Sequence, residues 1–233
     1  MTISDPIRRN INGIRHYQDP TDRAWVPSVT SIISKMMRKD GLDAWKSRNV
    51  NHKAYASNEA TLGSLKHLRI LQQYCDEQLE APELPSLDWC TEGRMDQLEL
   101  AEIMWEKLGL KFGWPRYIEH TLYRGEYPRC AGSLDWLVQV EEPVKWEDGL
   151  TLGDIKSSKA PQEGHKVQLG AYYLLLPEHL RPRRGVITYL HTQMKNNLTL
   201  EPVVIEMGEK DLVRYGNKFL DLAGKFYETK VKV

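Results

Sequence analysis

The sequence predicts an α/β protein built on one mixed β-sheet. Three observations predict it. Apolar residues recur at helical spacing through the first half of the chain, and two extended runs flank a short polar loop in its middle. A helical stretch then separates those runs from two further strands. At 233 residues the chain can bury one large core. We expect a single domain, with a mainly helical N-terminal elaboration over about 1–112 and a core over about 113–233.

Taken in order, IRHYQ and AWV around the turn DPTD predict a small β element. Pro27 and Ser28 start a helix, with Val29, Ile32, Ile33, Met36 and Met37 at helical spacing. A second helix is predicted over about 58–78, where Leu62, Leu65, Leu68 and Leu71 recur every third residue. The prolines of APELPS mark a loop over 80–86. Residues 92–108 predict an amphipathic helix carrying Met95, Leu98, Ile103 and Trp105 among acids. From Trp114 the pattern turns to strands. IEHTLYR alternates, and the runs 130–140 and 150–156 flank EEPVKWEDG, a loop too polar and short for a helix, which predicts a β-hairpin. A helix over 161–176, ended by Pro177, precedes strands at 185–189 and 198–205 and a closing helix over 209–229.

Apolar residues at 41% and charged residues at 27% are ordinary for a soluble globular protein. No run is long enough to span a bilayer, and MTISDPIRRN lacks a signal-peptide core, so a cytoplasmic location without a membrane partner is expected. Cys75, Cys90 and Cys130 are odd in number and widely spaced, which argues for free thiols in a reducing compartment and against a zinc site. The zero net charge sums unlike parts: about +6 over 1–75, −9 over 76–106 and +3 over 107–233. A polyanionic partner is therefore compatible with the charge, whereas coating DNA by bulk charge alone is not.

The chemistry concentrates around GDIKSSK, 153–159. Asp135 and Asp154 are symmetric about the hairpin loop, so they should be cross-strand neighbours about 5 Å apart at Cβ. Two carboxylates so placed repel unless a cation lies between them, and hard oxygen ligands suit Mg²⁺ or Mn²⁺. Lys156 shares a strand face with Asp154 and can orient a water or stabilise phosphorane charge. A surface ion pair is the alternative for Asp154 and Lys156 taken alone. Gly132 and Gly153, each near one aspartate, would let a backbone or substrate approach. On the following helix His165, Gln168 and Tyr172 share one face, placed to touch substrate, with Lys159 and Lys166 nearby. The cluster RPRR, 181–184, is a solvated turn or a phosphate contact.

AGSLD, then DIK nineteen residues later, then QLGAY, resembles the PD-(D/E)XK nuclease superfamily, specifically its RecB-like exonuclease branch. The GxxD, D/E-x-K and QxxxY motifs of that branch are matched by Gly132–Asp135, Asp154–Lys156 and Gln168–Tyr172. Its upstream GxxxH motif is matched by GSLKH, which places a metal-ligating histidine on His67. Glu119 resembles a further acidic position, and VPSVTSII resembles the start of phage-encoded members. The resemblance covers roughly 26–176. It implies a restriction-endonuclease-like core and Mg²⁺ or Mn²⁺ as cofactor. His67, Asp135, Asp154, the Ile155 carbonyl and Glu119 are the implied metal site, Lys156 positions the attacking water, and Gln168 and Tyr172 orient substrate and strand.

The implied activity is hydrolysis of DNA phosphodiesters by an exonuclease in recombination, repair or phage DNA processing, in a bacterial or phage-infected host cell. The implied partner is DNA, single- or double-stranded, with a free end. A homo-oligomer or a recombination or replication protein is a further partner the resemblance allows. CRISPR-adaptation relatives hold an iron–sulfur cluster on four cysteines, which three ungrouped cysteines cannot supply. The rival class is an inactive nucleic-acid-binding or protein-interaction subunit of the same fold, with the acidic 76–106 segment as a binding surface, a DNA mimic or a cover for the cleft.

Overall fold

A computed structural model describes residues 6–37, 52–74, 92–108, 111–142, 149–158, 161–191 and 201–231. The loop expected at 80–86, the hairpin loop at 143–148 and Lys159 lie outside the described residues. The chain opens with β1 (Arg8–Ile11), β2 (Ile14–Gln18) and β3 (Trp25–Pro27), which form an antiparallel sheet in that order. Strand β1 was not expected. Its signal is Asn12-Gly13, whose φ values of 52° and 76° give the left-handed pair that a two-residue hairpin requires. The N-terminal part therefore carries a sheet as well as helices.

Helix α1 (Val29–Met36) starts where expected. The Ser31 N–H donates to Ser28 Oγ at 3.1 Å, capping the first turn, and Val29, Ile32 and Ile33 bury one face. Helix α2 (His52–Leu71) begins earlier than its leucine spacing suggested and ends in a 3₁₀ turn over Gln72–Tyr74. Its buried positions are Leu62, Lys66, Ile70 and Leu71, the first three recurring every fourth residue, whereas Leu65 and Leu68 are half-buried. A period of three drifts around a helix, so the leucine ladder could not mark a single face. On α3 (Glu92–Lys107) the core residues are Leu98, Ala101, Met104 and Trp105; Ile103 is exposed, and the side chain of Met95 is not described.

The main sheet has the order β4-β5-β6-β7-β8. It comprises β4 (Lys111–Arg124), β5 (Cys130–Glu142), β6 (Leu150–Lys156), β7 (Arg184–Tyr189) and β8 (Val203–Gly208). Only β6 and β7 run parallel, joined through α4 (Glu163–Leu175), as a crossover between parallel strands demands. The last strand begins five residues later than its apolar run predicted. Helix α5 (Glu209–Val231) closes the chain. The expected α/β class with one mixed main sheet is therefore present.

Helices cover both faces. Against one face, α1, α4 and α5 pack on Leu134, Leu137, Leu152 and Ile187. Against the other, Ile70, Leu71, Ala101, Met104 and Trp105 of α2 and α3 pack on Ile118, Trp136, Val138 and Ile155. Burial of this kind stabilises by about 25 cal/mol per Å² of apolar surface, which outweighs helix propensity. Helix α4 is buried nearly all round, so the two-sided pattern expected for it, one polar face and one core face, is not what the fold uses. It touches α5 backbone to backbone: a Cβ on Gly170 would lie 2.4 Å from Gly216 N.

Candidate active site

The hairpin register places Trp136 opposite Gly153, so the next pair along is Asp135 with Asp154, as the loop symmetry predicts. Ladder pairing stops one residue before them. On the other side of β5, Ile118 pairs with Trp136 and His120 with Leu134, which brackets Glu119 opposite Asp135. Glu119, Asp135 and Asp154 thus occupy one row across three neighbouring strands.

The strands are irregular at this row. Ile118 and Trp136 join the α2–α3 core, while Leu122 and Leu134 join the opposite core, so side-chain alternation inverts in both strands at Glu119 and Asp135. Glu119 shows the cause on its strand, a left-handed backbone with φ of 46°. Asp135 is freed from the ladder and turns toward β6. Its Oδ2 accepts the Ile155 N–H at 2.6 Å, taking the place of a strand carbonyl.

Helix α2 brings His67 into this gap. Its Nδ1 lies 3.5 Å from Asp135 Oδ2 and 3.9 Å from Glu119 Oε1. One ligand atom from each of His67, Glu119 and Asp135 falls within 4.8 Å of the others, a set that could hold a metal ion. Asp154 has other partners. Lys156 Nζ is 2.6 Å from its Oδ2, and Gln168 Nε2 donates to its Oδ1 at 3.0 Å. Gln168 Nε2 also donates to Tyr172 Oη at 3.0 Å. Beside the centre, Glu59, Gly63, Ser64, His67, Lys156 and Ser157 line an open depression.

Electrostatics follow from placing three acids here. Burial pushes the fully enclosed Asp154 up to about 6, against the pull of the Lys156 charge. Burial also raises Asp135, opposed by Lys156 and the Ile155 N–H. Glu119 is raised by burial and then by the charges of Asp135 and Asp154. Burial and the Lys156 charge push His67 down to about 4, so its imidazole is neutral, the form that ligates metal. The Ile155 backbone hydrogen-bonds His67 and opposes that shift.

Among the sequence-derived candidates, His67, Glu119, Asp135, Asp154, Ile155, Lys156, Gln168 and Tyr172 all meet at this end of the sheet. Three expectations need correction. Gln168 and Tyr172 are buried and bond Asp154 and each other, so they orient the strand carboxylate rather than face a substrate. Gly132 and Gly153 make room for protein: a Cβ would lie 2.6 Å from the Tyr172 ring and 1.7 Å from the Trp136 indole, respectively. Lys166 lies over the Tyr215 ring rather than at the acids, whereas His165 bonds Oη of Tyr189, the residue paired with Lys156 across the sheet, at 3.0 Å and so stays beside the site. In RPRR, Arg181 and Arg183 are exposed ahead of β7, as the solvated-turn reading has it, with Arg181 donating to the Leu176 carbonyl and Arg184 paired with Glu206. Glu59 also belongs beside the centre, and its signal is spacing: Glu59, Gly63 and His67 recur every fourth residue and share one helix face.

Asp19 and Asp22 of the β2–β3 loop hold Arg129, far along the chain from these acids. No helix among the described residues is long and apolar enough to cross a membrane. No protein-family model and no curated protein matches the chain. Among solved structures, one described as "Crystal structure of SSO0001" aligns over 70% of this chain and 73% of its own, at 16% identity and a TM-score of 0.30. A likeness of that size carries no argument about fold family or function.

Proposed function

We propose that the chain is a metal-dependent deoxyribonuclease with a restriction-endonuclease-like core, of the PD-(D/E)XK type. The observation that carries this reading is the convergence of His67, Glu119 and Asp135 beside the Asp154–Lys156 pair, at the point where β5 parts from β6. Three acids with one lysine leave an excess of negative charge in a half-enclosed site, and a divalent cation offsets it. The donor set fits: two carboxylates suit Mg²⁺ or Mn²⁺, and the neutral imidazole favours Mn²⁺ of the two. His67, Glu119 and Asp135 would hold the ion, with Asp154 and the Ile155 backbone at their side. When bound, the ion supplies Lewis-acid polarisation of a phosphate oxygen and acidifies a nearby water.

The chain's own residues supply the rest. Lys156 donates hydrogen bonds to the attacking water and to the phosphoryl oxygens as charge builds. The water oxygen bonds to phosphorus as the ester P–O bond breaks; the water's proton passes to solvent, and the leaving sugar oxygen takes a proton from solvent. Gln168, fixed by Tyr172, keeps Asp154 from rotating away from Lys156. Exonuclease action on DNA ends, in recombination, repair or phage DNA processing, is the form of the activity we propose.

The test is incubation of end-labelled linear single- and double-stranded DNA with Mg²⁺, Mn²⁺ or EDTA. Wild type should release label only with metal, and Lys156→Ala should release none while keeping its circular dichroism. Folded wild type that cuts no substrate would sink the reading in favour of a binding or interaction subunit. Full activity in Lys156→Ala would remove the site.

A further inference from the structure

The N-terminal hairpin carries Arg8, Arg9 and Arg15, all exposed. Its register sorts them onto two faces. Arg8 pairs with Tyr17, and Asn10 pairs with Arg15, so Arg8, Arg15 and Tyr17 share one face. Arg9 pairs with His16 on the other face, and its guanidinium lies over the Trp25 ring at 5.4 Å, which fixes that face independently. Tyr17 is buried, and its ring meets Tyr123 of β4 edge-on with centroids 6.4 Å apart. The Arg8–Arg15 face is therefore the one turned onto β4, four residues along from Glu119. Among the described residues, neither Arg8 nor Arg15 has a side-chain ion pair that would occupy it. The Arg8 charge also acts on Glu119, easing the ionisation that burial and the neighbouring carboxylates resist.

We propose that the β1–β2 hairpin is one wall of the DNA groove and that Arg8 and Arg15 hold phosphates flanking the one that is cut. This rests on the nuclease reading above. A DNA strand approaching a row of acids meets repulsion everywhere but at a bound cation, so cations must hold it on either side. Arginine on a paired strand suits that task, because its planar fork binds phosphate oxygens bidentately from a fixed base. Lys156 serves the reacting phosphate; the hairpin serves its neighbours.

The experiment measures binding of fluorescent single- and double-stranded oligonucleotides by anisotropy across a salt series, with Mg²⁺, in the cleavage-silent Lys156→Ala background. Arg8→Ala and Arg15→Ala should each weaken binding about tenfold. Each should also lower the slope of log K against log salt by about 0.7 on single strands or 0.9 on duplex, with unchanged melting temperature. Arg9→Ala should leave affinity and slope alone. Equal losses in all three variants would overturn the face assignment, leaving only bulk charge. No loss in Arg8→Ala or Arg15→Ala, while wild type still cuts DNA, would overturn the groove wall and spare the nuclease reading. A wild type that neither binds nor cuts DNA would overturn both.

Discussion

Asp154 and His67 titrate against each other. Asp154 moves from a free value of 3.8 up to about 6, so between about 4 and 6 the folded state keeps a proton that the unfolded chain has released. Its contribution to stability therefore falls as pH rises through that window, by about 3 kcal/mol at most. His67 moves from 6.5 down to about 4, so the unfolded chain binds the extra proton there and stability rises with pH over nearly the same window. The two slopes oppose each other in the metal-free wild type. Asp135 and Glu119 are raised too and slope with Asp154. Relative to wild type, Asp154→Asn should therefore shift the slope of stability between about pH 4 and 6 upward, and His67→Gln should shift it downward, each read by urea denaturation in EDTA. Identical pH profiles for the two variants would refute the assignment. Glu119 stores a different cost, since a left-handed backbone disfavours any side chain with a Cβ by roughly 1–2 kcal/mol. Glu119→Gly should raise the unfolding free energy measured in urea by about 1 kcal/mol while lowering Mn²⁺ affinity, which titration calorimetry would register as a trade of binding for stability.

At the scale of elements, the site depends on glycines that admit aromatic rings. Gly153→Ala would drive a methyl into the Trp136 indole, and the two strands cannot shift without losing the Asp135–Asp154 row. It should cost about 3 kcal/mol, the upper end for overpacking, and the double variant Gly153→Ala with Trp136→Leu should recover part of that in denaturation midpoints. The sequence exposed the hairpin well. Two extended runs around a polar loop marked its strands, and simple symmetry gave the register that sets Asp135 beside Asp154. Ser28 and the spacing after it gave α1. Less visible were features set by neighbours far along the chain. The left-handed turn of Glu119 has no composition signal, because glutamate has no preference for it. Lys66 sits on the core face of α2, which an apolar pattern cannot show. The burial of α4 from Val167 onward comes from α5 closing over it, so Gln168 and Tyr172, polar-face positions by periodicity, are covered.

At the scale of the molecule, the two helical layers meet the acids from opposite sides. His67 arrives from the layer of α2 and α3, and Gln168 from the layer of α1, α4 and α5. The centre therefore exists only while both layers hold their place on the sheet. Helix α5 contributes no residue to it, yet Gly216 of α5 sits against the backbone of Gly170, two residues beyond Gln168. A side chain at either glycine would push the helices apart and slide Gln168 along the sheet. A genetic screen for lost activity should thus return substitutions at Gly216, on the outermost helix, beside those at the acids. Suppressors of Gly216→Ala should arise where Leu174, whose Cγ a Gly216 Cβ would meet at 2.7 Å, becomes smaller. Inheritance of this activity would then be recorded in a pair of positions that no catalytic motif contains.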